Sequence, residues 1–300
     1  MPARSSVVAS LDEALSLVSD GDVIGIGGFI TSNKPCALLR GLMRARRKNL
    51  TIVAGPSSLE VDLMIALGMV ERTVTPYVGA EALAPIAPFF GKWAGRRFAV
   101  DEVDNGTVIA MLRAQMQRLP FMPTSVAGTS IPELNRHVKM IEDPFGGPPV
   151  AVVAPIKLDV ALLHAGQADS FGNVQHQGAH FIDHLLAQAA DRVIVQVERL
   201  VSNAAIRKAP LETSLHSAFV DAVVELPYGA HPMASQNHYG IDARHLEEYV
   251  RAAKSYLQGD EDLFAQYLAR YVDGPSTHAE YLEAVGMERL RSLRLEERGT

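Results

Sequence analysis

The chain has 300 residues, 48% hydrophobic and 21% charged, ample for a substantial core built as one large domain or two modest ones. A formal net charge of -6 argues against the broad basic footprint of a general nucleic-acid surface, although a local pocket on an acidic protein can still take a small anion. The single cysteine, Cys36, excludes an intrachain disulfide and a Cys-rich metal site, and no nearby histidine marks it as a nucleophile.

Asp12 and Glu13 interrupt the first apolar stretch, so no signal peptide is expected. Runs such as PVAVVAP and DVALL are far too short to span a bilayer. The expectation is a cytoplasmic protein in a reducing compartment, with no membrane partner. Ser10 and Glu13 form a capping box, and Leu11, Ala14, Leu15 and Val18 mark one face of a short helix that Asp20 and Gly21 stop. VIGIG then reads as a strand and GGF as a turn. Pro35 opens a helix over Cys36 to Arg44, ending in the basic cluster Arg44, Arg46, Arg47 and Lys48.

Leu50 to Val53 reads as a strand followed by a Gly-Pro-Ser-Ser turn, Glu60 to Leu67 as a helix stopped by Gly68, and Arg72 to Val78 as a strand leading into Gly79. APFFGKWAG is helix-like and Phe98 to Val103 extended. Gly106 to Arg118 is helical until Pro120 and Pro123 end it. From Ser125 to about position 149 the chain is rich in turn formers, and so long a connector implies a functional loop or a small flap. VAVVAP, LDVALLHAG, RVIVQVE and SAFVDAVVELP read as strands, the first two covered on both faces. DSFGNVQHQG is a turn-rich excursion and Phe181 to Ala190 a helix. Ala243 to Leu257, Asp260 to Val272 and His278 to Leu293 are helical, and the final RLEERGT is expected to fray. This divides the chain into an α/β domain, 1–242, and a C-terminal helical arm, 243–300. The alternation predicts an open, mostly parallel sheet with helices on both faces. Ligands of such sheets bind at the carboxyl ends of the strands, where the GGF, GPSS and GAE turns, Glu102 and the GTS at 128–130 all fall.

GIGGF is not a dinucleotide fingerprint, because the G-x-G-x-x-G register from Gly25 meets Ile30. No GxxxxGK[ST] or G-x-S-x-G segment occurs. Gly27 and Gly28 are either a tight strand-to-helix turn or, with Phe29, bare N–H donors facing a ligand. His176, His180 and His184 are spaced by four, but Gly178 weakens a helix through the first and HEXXH is absent, so no metal is expected and His180 is placed as a substrate contact. In the acidic run Asp101, Glu102 and Asp104, the last suits a helix N-cap and Glu102 is the candidate base at a strand end. Glu198 is its rival, with a salt bridge to Arg199 or Arg207 as the plainer role. PYGAHP, 227–232, is either a packed turn or a loop lining the site or a subunit contact.

DGDVIGIGGF with Lys34-Pro35, then RAQMQRLPFMP, EDPFGG, DVALLHAGQADSFGNVQ, VERLVSNAAIRKAP and VDAVVELPYGAHP, resemble the family I coenzyme A transferases, in particular the alpha subunit of glutaconate CoA-transferase and its relatives, from Leu11 to about Glu283. The resemblance implies a CoA-transferase / NagB-RpiA-like fold and a heteromer, commonly two alpha and two beta chains. The nucleophilic glutamate would belong to the beta subunit, since its Ser-Glu-Asn-Gly segment is absent here. It implies an acyl-CoA and a carboxylic acid as substrates, and no tightly bound cofactor, because CoA arrives as the thioester. Gly27, Gly28 and Phe29 would then offer backbone N–H groups to the oxyanion. Gly79, Glu81, Gly128 and Thr129 would line the acyl side, and Lys34 would be either a carboxylate contact or a surface lysine. A related branch, the alpha subunits of a hydrolase opening the last steroid ring, resembles the chain at DEVDNG and QRLPFMP. There Glu102 would be the base of a C–C cleavage. Asn105 stands where that branch has a second acid, and GGF matches the transferases where that branch tends to Gly-Trp. A sugar-phosphate isomerase-like enzyme on a related fold and a non-catalytic binding subunit are the remaining readings.

Overall fold

The computed structural model describes residues 5–295. Its strands are β1 Val23–Ile26, β2 Leu50–Ala54, β3 Val70–Val74, β4 Ala99–Val100, β5 Met122–Thr124, β6 Val138–Ile141, β7 Val150–Val153, β8 Leu158–Ala168, β9 Val174–Gln175, β10 Ala190–Leu200 and β11 Ala222–Glu225. The main sheet runs β11-β10-β8-β1-β2-β3-β4 with every pair on that path parallel, and β9 folds back antiparallel onto the end of β8. The predicted open parallel α/β sheet with helices on both faces and a C-terminal helical extension is what forms. Side chains alternate across it: Ile24, Ile26, Ile52, Leu162 and Ile194 feed one core, and Val53, Ala161, Leu163, Val193 and Val195 the other, as the period of two in a strand requires.

Two elements differ from the sequence reading. β7, the VAVVAP run, is not in the main sheet but is the centre of a separate antiparallel sheet β5-β7-β6. A four-residue apolar run carries no mark of its partner's direction, so pairing with β5 and β6 decides where it goes. Of the two readings of the long connector, a functional loop or a small flap, the small folded flap is what forms. The last helix is two, His278–Val285 and Met287–Ser292, because Gly286 takes φ 101° between them. Of the expected fraying tail, positions 296–300 lie outside the described residues.

The C-terminal helices cover one layer of helices on this chain's own sheet. Ala243–Leu257, Asp262–Leu268 and the π turn Ala269–Asp273 bury Tyr249, Tyr267, Tyr271 and, from the following helix, Tyr281 in the same cluster as Leu39, Met43 and Leu59. Polar anchors fix that packing. The Arg40 guanidinium lies 3.5 Å above the Tyr281 ring and donates to the His231 carbonyl at 2.7 Å. Tyr249 Oη donates to Asp62 Oδ2 at 2.8 Å, and the Phe89 and Phe90 amides complete that carboxylate's shell. Burial still pushes the Asp62 carboxyl up to about 6. No helix among the described residues is long and apolar enough to cross a membrane.

Tyr249→Phe removes one donor from this buried carboxylate and is expected to cost about 1–3 kcal/mol. A urea titration checks this; an unchanged midpoint would show that the tie carries no stability.

Candidate functional site

The turn after β1 is held by its own chain. The Gly27 N–H donates to Leu162 O, the Gly28 N–H to Asp183 Oδ1 and the Phe29 N–H to Ser32 O, each at 2.9 Å. The expected offer of these three amides to a substrate oxyanion is therefore corrected, since each already has an acceptor. The glycines answer to close packing. A Cβ on Gly27 would stand 2.8 Å from Asp183 Oδ2, and one on Gly28, where φ is 76°, would collide with the Ser32 and Asn33 carbonyl oxygens. Phe29 instead contributes a wall, half-buried and stacked on Phe181 with centroids 4.9 Å apart.

Asp183, fully buried at the start of the helix Asp183–Ala189, links this turn to the excursion after β9. Its Oδ2 lies 3.1 Å from His176 Nε2, and His176 Nδ1 lies 2.6 Å from Ser214 Oγ. His176, His180, His184 and Ser214 line an open cleft of about 820 Å³. The three imidazoles do stand side by side, with centroids 5.6 and 5.3 Å apart, although the helix starts only at Asp183. His180 is exposed. Burial, then His180, holds the His184 imidazole below its ordinary value. Among the described residues the one cluster with metal-ligand spacing is elsewhere, at His231, Asp242 and His245. It does not suit a cation. Both His231 nitrogens are engaged, by Tyr281 Oη at 2.7 Å and Asp242 Oδ2 at 3.0 Å, and Arg289 already sits 2.6 Å from Asp242.

On the other half of the edge, Lys34 is no surface lysine. It is fully buried, with Nζ 3.3 Å from Ser57 Oγ and 3.5 Å from Glu60 Oε1. The turns after β2 and β3 are stitched by Ser57 N to Tyr77 O at 2.8 Å and Gly79 N to Ser57 O at 3.1 Å. Gly79 has no room for a side chain beside Tyr77 Oη and the Pro85 carbonyl. Glu81 is exposed at φ 50°, its N–H donating to Tyr77 Oη at 3.1 Å. In the acidic run after β4, Asp101 is buried against Arg72 at 2.7 Å, with His137 at 3.4 Å and Arg136 at 3.5 Å. Asp104 caps the helix Asn105–Met116 through the Thr107 N–H at 2.7 Å. Glu102 alone keeps an exposed side chain, while its carbonyl accepts from Asn135 Nδ2 of the flap at 2.7 Å. Gly128 and Thr129 are exposed on the flap, where Thr129 Oγ1 donates to Val126 O at 2.8 Å. The predicted positions thus stand at the carboxyl edge or on the adjoining flap, with Lys34 buried beneath the turns rather than facing a ligand. Glu102 is three strands from the glycine turn, about 14 Å at the usual strand spacing.

Glu198 makes no salt bridge to Arg199 or Arg207. At the end of β10 it is buried, accepts Tyr239 Oη at 2.6 Å and Tyr228 N at 2.7 Å, and lies 3.5 Å from His164 Nε2. Burial pushes its carboxyl up to about 7 and drives the neighbouring His164 down to about 3. Tyr228, Ala230 and His231 of the PYGAHP segment are buried beside it, which favours the packed turn. The Asp183 links were invisible in the sequence, since Gly28 and Asp183 are 155 positions apart and nothing in their spacing connects them.

An open parallel sheet whose turns, flap and cleft gather at the carboxyl ends of its strands defines an α/β ligand-binding protein of the doubly wound class. Residues 8–226 match the Coenzyme A transferase family, and the chain belongs to that family. It is 32% identical over 289 residues to an uncharacterized protein of Archaeoglobus fulgidus, covering 95% of this chain and 64% of that longer protein. It is 31% identical over 311 residues to the A subunit of glutaconate CoA-transferase from Acidaminococcus fermentans, covering 97% and 95% of the two chains. It is also 31% identical over 291 residues to the cholesterol ring-cleaving hydrolase IpdA subunit of Rhodococcus jostii, covering 88% and 96%. The crystal structure of the Acidaminococcus glutaconate CoA-transferase superposes with a TM-score of 0.90 at 28% identity, covering 97% and 96%.

The Glu198 carboxyl has a folded value of about 7 against an ordinary 4.5, so the folded state binds the extra proton. Its contribution is full below about pH 4.5 and is lost as pH rises through about 7, a change on the order of 3 kcal/mol. Glu198→Gln should flatten this part of the stability–pH curve, measured by denaturant titration from pH 4 to 8. An equally steep curve in the variant would assign the slope to other groups.

Proposed function

We propose that this chain is the alpha half of a heteromeric acyl-CoA:carboxylate CoA-transferase. The observation that carries the reading is the end-to-end likeness to the glutaconate CoA-transferase A subunit, at 97% and 95% coverage. In this reading a beta-type chain supplies a glutamate that attacks the acyl-CoA carbonyl carbon. The C–S bond breaks and leaves an acyl-glutamyl anhydride. The CoA thiolate then attacks the glutamyl carbonyl, releasing the first carboxylate and forming a glutamyl-CoA thioester that a second carboxylate takes up. This chain supplies walls and positioning. Phe29 on Phe181 bounds the thioester side near His180, and Gly79, Glu81, Gly128 and Thr129 bound the acyl side. Lys34, paired with Glu60, stiffens the turn after β2 rather than reaching a substrate acid. No resident cofactor takes part, the assembly is α2β2, and the compartment is the cytoplasm.

The second reading is a C–C hydrolase acting on a cyclic acyl-CoA with Glu102 as base. It is favoured by the likeness to the IpdA subunit and by the exposed Glu102 side chain, the one carboxylate of its run not tied to the fold.

Incubating the complex of this chain and its beta partner with an acyl-CoA and labelled acetate is expected to put label into a new CoA thioester. Hydrolysis without label transfer counts against the transferase. Glu102→Gln separates the roles. A positioning carboxylate predicts less than about tenfold loss of turnover, whereas a general base predicts about 10²–10⁴-fold.

A further inference from the structure

The cleft beside the glycine turn holds a second constellation that the transferase reading does not use. Ser214 Oγ is 2.6 Å from His176 Nδ1, and His176 Nε2 is 3.1 Å from Asp183 Oδ2. Asp183 is fully buried and His176 nearly so, while Ser214 is half-buried on the cleft wall. We propose that Ser214, His176 and Asp183 form a nucleophilic acyl-transfer site of this chain's own, acting on small activated acyl esters or thioesters that enter the cleft.

The order of the hydrogen bonds fixes the proton positions. A carboxylate at His176 Nε2 keeps the proton on that nitrogen, so Nδ1 presents its lone pair to Ser214. Ser214 Oγ has a second acceptor within reach, Val174 O at 3.2 Å, and the shorter 2.6 Å contact to Nδ1 takes its single proton. Asp183 is itself held by the Gly28 N–H at 2.9 Å on its other oxygen. This is a nucleophile, a base and a group that orients the base, with the ring nitrogens in the reverse of the usual serine-protease roles. The N–H groups of Gln177 and Gly178, directly after His176 and on the same cleft wall, meet no acceptor among the described residues and suit a developing oxyanion.

In the first step Ser214 Oγ bonds to the acyl carbonyl carbon while His176 Nδ1 takes the hydroxyl proton. His176 returns that proton to the leaving thiolate or alkoxide as its bond to the carbonyl carbon breaks. Water then attacks the acyl-serine, gives its proton to Nδ1 and releases the carboxylic acid, and the proton goes back to Ser214 Oγ. The net reaction is hydrolysis, with water as the only co-reactant.

The test is reaction of the full-length chain with an alkyl fluorophosphonate, followed by intact mass and peptide mapping, alongside hydrolysis of p-nitrophenyl acetate. Neither probe carries CoA or needs a beta partner, so a negative result leaves the transferase reading standing, and a failed transferase assay leaves this site standing. One adduct on Ser214 is expected, absent in Ser214→Ala and formed at least tenfold more slowly in Asp183→Asn, where the base loses its orientation. Should Asp183→Asn fail to fold by near-ultraviolet circular dichroism, His176→Gln makes the same comparison. No adduct on Ser214, or a rate unaffected by the folded variant, overturns the proposal.

Discussion

The carboxylate of Asp183 is the point through which the carboxyl edge of the sheet is organised. Buried without a charged partner, it is stabilised by the Gly28 N–H on one oxygen and by His176 on the other. Burying a carboxylate is tolerable only when its lone pairs are met in this way. The consequence runs outward. Gly27 must lack a side chain to admit the carboxylate, Gly28 must adopt a positive φ to aim its N–H, and the excursion after β9 must return to the turn after β1. A turn that reads as a ligand cradle is thereby rigid before any ligand arrives, with the half-buried Phe29 and Phe181 left as its open face.

The same logic recurs at the other buried charges. Lys34 and Glu60 meet beneath the turn after β2. Asp62 gathers Tyr249 and two amides beneath the C-terminal helices, and Asp242 gathers His231 and Arg289 where those helices begin. The ties reach as far as Tyr249 to Asp62, 187 positions apart, and breaking one would leave an uncompensated buried charge. The C-terminal extension is therefore bound to the sheet layer by polar anchors set within a shell of tyrosines. That explains how helices with many exposed charged positions still contribute to the main core.

What was legible in the sequence follows from how local its causes are. The parallel sheet could be read because LDVALLHAG is apolar at nearly every position, the mark of a strand covered on both faces, and RVIVQVE reads as another central strand; VAVVAP carries the same mark yet goes to the flap. The capping box at Ser10 and Glu13 and the Asp104 cap are set by neighbours three residues away, and both form. The partnership of β7 with β5 and β6 was not legible, because a short apolar run looks alike in either sheet. Nor was the break at Gly286, where the helical periodicity continues across the glycine. At the site, the turns were placed correctly on the carboxyl edge, but the donors of the first turn were assigned to a substrate when Asp183 had claimed one of them. The burial of Lys34 depends on Glu60 and Ser57, and that of Glu198 on Tyr239 and Tyr228. None of these pairs follows from periodicity or motif.

The separation along the edge bears on what kind of ligand can engage it all. Glu102 and the flap stand about three strand spacings, or about 14 Å, from Phe29 and the histidine cleft. No small acid touches both, so a ligand engaging the whole edge must be extended, as a CoA thioester is. The strands between them end in turns tied to one another through Ser57, Tyr77 and Gly79, so the distance is held rather than adjustable. A rigid edge of this length, with one free carboxylate at its far end and aromatic walls at the other, suits a chain that positions a long substrate. In the proposed transferase reading the attacking group then comes from the beta-type chain, on the open side of that edge.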